Sequence, residues 1–316
     1  MRFFLLVFFI LFSLHLKSQC FSSPGNPIGG TYNTGALKKG LLRATVFTRY
    51  SYTDKYYEGS KKIDYTYYEK AHYNYVGILL ALGLTPRITL ESESGYFPFK
   101  TVFYSRKYTL PYYEITGSGY SNFTPSLKFL IFANNEKRIF LSASVGVKVP
   151  FSREFIIKDN VELPVDVQPS TGAYGMVAQM YLMKENSFKS YRMFSITRYE
   201  QNGENEKKYR FGSSFMQSLF YSKHLYLANT PFPENWTAII QARYEFRNMN
   251  KMRNELVTGT GGYAVFISPQ LNYTIKEKWN VSVSGEFPVY QFLNNKQLGR
   301  GWAVLLNVTS DFKIFK

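Results

Sequence analysis

Glu91 and Glu93 stand two residues apart in "RITLESESGY", a spacing that puts both carboxylates on one face of a strand. Two carboxylates held together can divide between general acid and general base. Beside Arg43 and Arg49 of "LLRATVFTRYSY" the same pair reads instead as part of a charge ladder. Beyond the amino-terminal apolar run the chain has only His72 and His224, far apart in sequence. A Ser-His-acid hydrolase needs an oriented histidine. His72 falls near a strand end and reads as a polar residue of a rim, with a lipid hydrolase of the outer membrane as the reading it keeps open. "GTGG" at 259–262 lacks the lysine and the strand-to-helix setting of a phosphate loop, and reads as a flexible loop end. Cys20 is the single cysteine, so no disulfide forms within the chain, and zinc spacings are missing. No catalytic, cofactor-binding or metal-ligating residue is expected.

The elements that must hold these charges are strands. In "FLSASVGVKVP" Leu141, Ala143, Val145, Val147 and Val149 alternate with Ser142, Ser144, Gly146 and Lys148. Successive side chains of a strand point to opposite faces, so one wall is apolar and the other polar. The same alternation runs through "LLRATVFTRYSY", "RITLESESGY", "AIIQARYEFR", "WNVSVSGEFPVY" and "WAVLLNVTSDFKIF". Segments near 71–84, 117–133, 166–183, 189–200, 208–222 and 260–275 repeat it less cleanly, for a total of about twelve strands. Many are long enough to cross a bilayer at a tilt. The linkers alternate between long and short, as in an outer-membrane barrel, except that the one near 223–235 is longer than the rule asks. The fold class read from this is all-β: a closed antiparallel transmembrane β-barrel of about twelve strands, with the apolar wall on lipid. Arg43, Arg49, Glu91, Glu93, Lys128, Lys148, Arg243, Glu245 and Glu286 share the opposite parity and are expected to line the lumen. An Arg or Lys on the lipid face at the bilayer midplane would cost about 2–4 kcal/mol. Tyr50, Tyr52, Tyr96, Trp279 and Trp302 fall near strand ends, where interfacial aromatic girdles sit.

The first residues, "MRFFLLVFFILFSLHLKSQC", carry a short positive start and an apolar run too short to span a bilayer, which reads as a secretory signal over 1–19. Residues 20–40 form an N-terminal periplasmic or plug segment, and 41–316 the barrel. The segment "FSSPGNPIGGTYNTGALKKG" at 21–40 has no period-two pattern and is expected either to plug the periplasmic mouth or to trail as a tail. An even strand count leaves both termini periplasmic, in the outer membrane of a Gram-negative bacterium. A net charge of +16 is compatible with nucleic acid, but the cations are scattered along polar strand faces, so nucleic acid is excluded as a partner. The expected partners are outer-membrane lipid, the barrel-assembly machinery and a small-molecule solute; no cofactor is expected.

Five segments, "GSGYSNFTPSLKF", "LSASVGVKVPF", "LPVDVQPSTGAYG", "GGYAVFISPQLNY" and "EFPVYQFLNNKQLG", in this order and spacing, resemble the outer-membrane transporters grouped with the meta-pathway of phenol degradation, distant relatives of long-chain fatty-acid transporters. The resemblance spans roughly 27–316. It implies a barrel that passes small, often apolar, molecules. The chain departs from that family at Ser121 and Asn122, where an acidic residue is usual. The function read from the sequence is a passive outer-membrane transporter or channel for small apolar or anionic molecules; the alternative is a structural or binding barrel without transport.

Pro269 and Pro288 lie inside strand patterns, although proline cannot donate to a ladder. With the turn centred on Glu277, Pro269 falls opposite about residue 285 and Pro288 opposite about 266. A bulge or kink is expected there, either shaping the wall or forming a seam through which an apolar solute leaves sideways.

Overall fold

Alternating side chains make a sheet with two chemically different faces, and a sheet in lipid must close so that no backbone group is left unpaired. The computed structural model describes residues 36–65, 67–105, 113–158, 160–186, 190–230, 235–276 and 278–314. The expected leader and its cleavage site, Cys20, and residues 21–35 of the expected periplasmic or plug segment lie outside these. Among the described residues twelve strands form the wall: β1 (Leu41–Thr53), β2 (Tyr68–Gly83), β3 (Ile88–Tyr104), β4 (Asn122–Asn134), β5 (Ile139–Pro150), β6 (Gly175–Asn186), β7 (Tyr191–Asn202), β8 (Ser214–Leu225), β9 (Trp236–Arg247), β10 (Gly262–Ile275), β11 (Trp279–Leu298) and β12 (Trp302–Lys313). Each pairs antiparallel with its neighbours in chain order, and β1 pairs with β12 from Leu41↔Lys313 to Tyr52↔Trp302, closing the barrel. No helix in the described residues is long and apolar enough to cross a membrane.

The outer face is apolar. Val145 and Val147 are 59% and 49% exposed on the wall, while Ser142, Ser144 and Lys148 of the same strand are buried. Two aromatic belts bound the band. At one end Trp302 stacks on Tyr52 and lies against Tyr50, and Tyr96 meets Tyr120. At the other, Trp236 packs on Tyr273 and Trp279 on Phe312. Trp302 and Phe312 are ten residues apart on one strand, about 33 Å at a rise of about 3.3 Å per residue. A tilt of about 40° makes this about 25 Å of height, the apolar band of a transmembrane barrel.

The two ends differ. Tight connections join β2 to β3, β4 to β5, β6 to β7 and β10 to β11, with the 226–235 connection again the longer one. Both described termini lie at this turn end, where Ile314 N–H donates to the Gly40 carbonyl. At the loop end the wall runs beyond the belt. Tyr56–Gly59 and Lys61–Ile63 form a hairpin that pairs with the far end of β11, and Glu114–Tyr120 continues the wall beside β3. Strand therefore extends through 293–298 and 98–104.

Candidate functional site: the barrel interior and its mouth

All nine charged residues of inner parity lie inside the barrel: eight are buried, and Arg43 keeps 20% of its side chain exposed beside Asp311 at 2.6 Å. Glu91 pairs with Lys128 at 2.7 Å and Glu93 with Arg198 at 2.9 Å, whereas Arg49 reaches Glu286 at 2.5 Å. The stagger of neighbouring strands decides which long side chains share a height, and that stagger is not written in any one strand.

Two clusters result. On the β3–β7 side, Arg198 holds both Glu93 and Glu200 (2.6 Å), and Lys148 reaches Glu200 at 3.3 Å. Gly175 stands between Lys148 and β7; a Cβ there would lie 3.4 Å from the Lys148 chain and 2.6 Å from the Gln201 carbonyl. On the β9–β1 side, Glu286 accepts from Arg49 and, at 2.7 Å, from Arg243. Glu245 is flanked by Arg247 at 2.6 Å, Arg243 at 3.5 Å and Arg300 at 3.6 Å. Ala303 of β12, fully buried, pairs with both Ser51 and Glu286, and its small side chain lets Arg49 reach across to the carboxylate. The first cluster sets Lys128, Lys148 and Arg198 against Glu91, Glu93 and Glu200. The second sets Arg49, Arg243, Arg247 and Arg300 against Glu245 and Glu286, two cations more than anions.

The interior also carries apolar layers, of which strand-by-strand parity reads only Phe47. Phe47, Tyr75 and Phe97 pack together with ring centroids 5.7 and 4.8 Å apart. Nearer the turn end Tyr181, Phe194, Ile196, Phe220 and Ile239 cluster, with Phe194 and Phe220 stacked at 4.3 Å. Arg198, Glu200, Arg247 and Arg300 were likewise not singled out from sequence. Arg198 and Glu200 have the parity of Phe194 and Ile196, which obscured the inner face of their strand.

The loop between β5 and β6 folds into the loop-end mouth. Val167 and Leu163 are buried against Tyr56, Ala71, Val102 and Leu298. Lys100 Nζ donates to the Gln168 carbonyl at 2.8 Å, and Asn122 Oδ1 accepts from Ser170 Oγ (3.0 Å) and from Thr171 Oγ1 (2.9 Å) and N–H (3.3 Å). Gly117 lies so close beneath that a Cβ would fall 2.2 Å from the Val167 carbonyl. The segments "GSGYSNFTPSLKF" and "LPVDVQPSTGAYG" thus meet face to face. At the other mouth, only 36–40 of the expected periplasmic or plug segment is described: Leu37 is buried, and its N–H donates to Thr89 Oγ1 at 3.0 Å.

Two further sequence-marked places are located. His72 sits on the outer wall among Tyr50, Phe99 and Phe103, its Nδ1 3.4 Å from the Tyr50 hydroxyl. Between β10 and β11 the register shifts at Val265/Phe266, Phe266 then pairs with Pro288 and Ile267 with Phe287, the ladder breaks at 268–269, and it resumes at Gln270↔Ser284. Pro269 and Gly285 fall in the gap, and Glu286, with its two arginines, lies on the inner side of this interruption.

No family model and no curated relative matches the sequence. Among solved structures the chain is similar to an outer membrane channel from Pseudomonas putida F1, with a TM-score of 0.68 and 15% identity over 90% of this chain and 99% of the other. More remote similarities are to the NanC porin (TM-score 0.45, 9% identity, 86% of this chain and 99% of the other) and the KdgM porin (0.42, 8%, 85% and 99%). The fold is that of an outer-membrane β-barrel: twelve antiparallel strands, an apolar outer band and a polar interior.

Proposed function

We propose that the protein is a passive channel of the Gram-negative outer membrane that passes small solutes and favours anions. The observation that carries this reading is the surplus of guanidinium groups around Glu245 and Glu286 inside a closed barrel. A low-dielectric wall lined with one sign of charge concentrates counter-ions, so a surplus of fixed cations lowers the barrier for a small anion. Both termini belong in the periplasm on this reading, as the tight turns at their end support. The likeness to a channel, and the order of the five transporter-like segments around the barrel, support transport over chemistry; His72, set among aromatic rings on the outer wall, offers a hydrolase little. Lipid on the outer band, the barrel-assembly machinery and a small solute are the partners this reading implies.

The alternative, a barrel without transport, is favoured by one observation: Leu163 and Val167 fill the loop-end mouth. A liposome-swelling assay on the purified protein separates the two. Permeation of small carboxylates faster than of neutral solutes of equal size supports the channel; swelling no faster than in protein-free vesicles supports the structural barrel.

A further inference from the structure

The formal charge of +16 is not spread evenly over the molecule. At the loop end, over 54–70, 103–120, 151–174, 203–213, 248–261 and 294–299, the described residues carry twelve Lys and Arg against eleven Asp and Glu. At the turn end, over 36–43, 84–88, 134–139, 184–192, 223–237, 275–279 and 311–314, they carry twelve against three. The surplus is nine positive charges at the turn end and one at the loop end. Few of the turn-end cations are neutralised. Arg43 is held by Asp311, and Arg138 and Arg192 both reach Glu185 at 3.5 Å. The other nine are exposed and form no ion pair with a described residue.

Part of this surplus sits on the lipid-facing wall. Met176, Met180 and Leu182 of β6 are exposed on the outside of the barrel, and Lys184 continues their series. Lys223 of β8 follows Leu219 and Tyr221 in the same way. Side chains of one strand parity share a face, so these two ammonium groups leave the barrel on its outside rather than into its mouth. Lys278 stands in the aromatic belt itself, its Nζ 5.2 Å from the ring centre of Phe312 and 6.0 Å from that of Trp279. Such belts mark the membrane–water interface. A lysine there lays its stem on the apolar wall and lifts its head to the level of the lipid headgroups. A soluble acidic partner gains nothing from ammonium groups at that depth, whereas lipid phosphate meets them. The remaining turn-end cations add to the same field, which acts within a Debye length, about 10 Å at 0.1 M salt.

We propose that the turn-end rim binds the phosphate headgroups of anionic glycerophospholipids in the periplasmic leaflet, with Lys184, Lys223 and Lys278 reaching them from the outer wall. The nearly neutral loop end has no such preference. The proposal rests on the reading that puts the turn end in the periplasm, and it does not depend on conduction.

The three tryptophans of the chain report on the two belts separately, Trp236 and Trp279 at the turn end and Trp302 at the loop end. The test is quenching of tryptophan fluorescence in phosphatidylcholine vesicles in which brominated phosphatidylglycerol or brominated phosphatidylcholine replaces an equal fraction of the lipid. Both leaflets contain the quencher, so the direction of insertion does not matter. In Trp302→Phe, phosphatidylglycerol is expected to associate with the turn-end belt about three- to tenfold more strongly than phosphatidylcholine. In the double variant Trp236→Phe and Trp279→Phe, the two lipids are expected to quench Trp302 alike. Lys184, Lys223 and Lys278 are exposed, so their joint replacement by Gln leaves the barrel folded and should remove most of the turn-end preference. In the unaltered lysine background, salt at about 1 M, where the Debye length is about 3 Å, should do the same. Equal quenching by the two lipids at the turn end overturns the proposal and leaves the rim to a soluble acidic partner. An equal preference at both ends, or one undiminished by the three substitutions, overturns it as well. Orientation is read separately: in a Cys20→Ser background, Asn135→Cys in the β4–β5 turn should resist a maleimide too large to cross the outer membrane until the cells are opened. Labelling of intact cells would overturn the periplasmic assignment, and with it the choice of glycerophospholipid over lipid A, without touching the phosphate preference measured in vesicles.

Discussion

The two sides of the barrel interior use the same device and arrive at different sums. On the β3–β7 side three cations and three carboxylates neutralise one another, and every bridge stays among strands that are close in the sheet or face across it. On the β9–β1 side four arginines share two carboxylates, and the Arg49–Glu286–Arg243 bridge straddles the interrupted ladder between β10 and β11. Removing charges from water is costly, and the return is complete only when each ion is paired. The balanced side is therefore a brace. The unbalanced side keeps positive charge inside the barrel, which nothing in wall-building requires, and that is where function is to be sought.

The largest difference between the sides should appear on removing one carboxylate. Glu286→Gln strands Arg49 and Arg243 together, and unfolding in denaturant should show a loss of about 3–5 kcal/mol. Lys148→Met on the balanced side leaves Glu200 still held by Arg198, so the loss should be smaller, about 1–3 kcal/mol. Equal losses would mean that both sides are braces of one kind.

A step below these lies the mouth. Asn122→Ala removes the acceptor of three hydrogen bonds from Ser170 and Thr171. It should lower stability by only about 1–3 kcal/mol, while making the inserted loop a protease target and raising single-channel conductance. Unchanged conductance with a cleaved loop would show that the loop does not close the path.

The smallest expected effect concerns the seam. In a Cys20→Ser background, Val265→Cys and Tyr290→Cys stand opposite each other where the register shifts. Bridging them should leave anion flux unchanged, since the charged path runs along the barrel axis. Loss of uptake of an apolar solute in the bridged protein would establish the sideways exit.

The sequence shows some of this and hides the rest for physical reasons. The outer face of β5 was legible because Val145 and Val147 meet lipid while serines and Lys148 turn inward. The inner face of β7 was not, because Phe194 and Ile196 point inward and Ser195 and Thr197 point outward. Those two outer hydroxyls are satisfied by Gln217, with hydrogen bonds of 2.7 Å each, so the wall tolerates them and the pattern inverts. The positions of Pro269 and Pro288 could be placed by counting from the turn. The Arg49–Glu286 bridge could not, since it depends on Ala303 of a third strand. The inserted loop was not legible: its residues 166–174 fell within the strand pattern read over 166–183, whereas the strand begins at Gly175, and its contact with the Gly117–Asn122 segment joins two of the five family-like motifs.

Reversal potential across a planar bilayer under a potassium chloride gradient tests the central claim most directly. The unaltered channel should favour chloride, and Arg247→Gln with Arg300→Gln, which brings the β9–β1 cluster to neutrality, should move the reversal potential toward zero. A cation preference in the unaltered protein, or a chloride preference that survives both substitutions, would contradict the account.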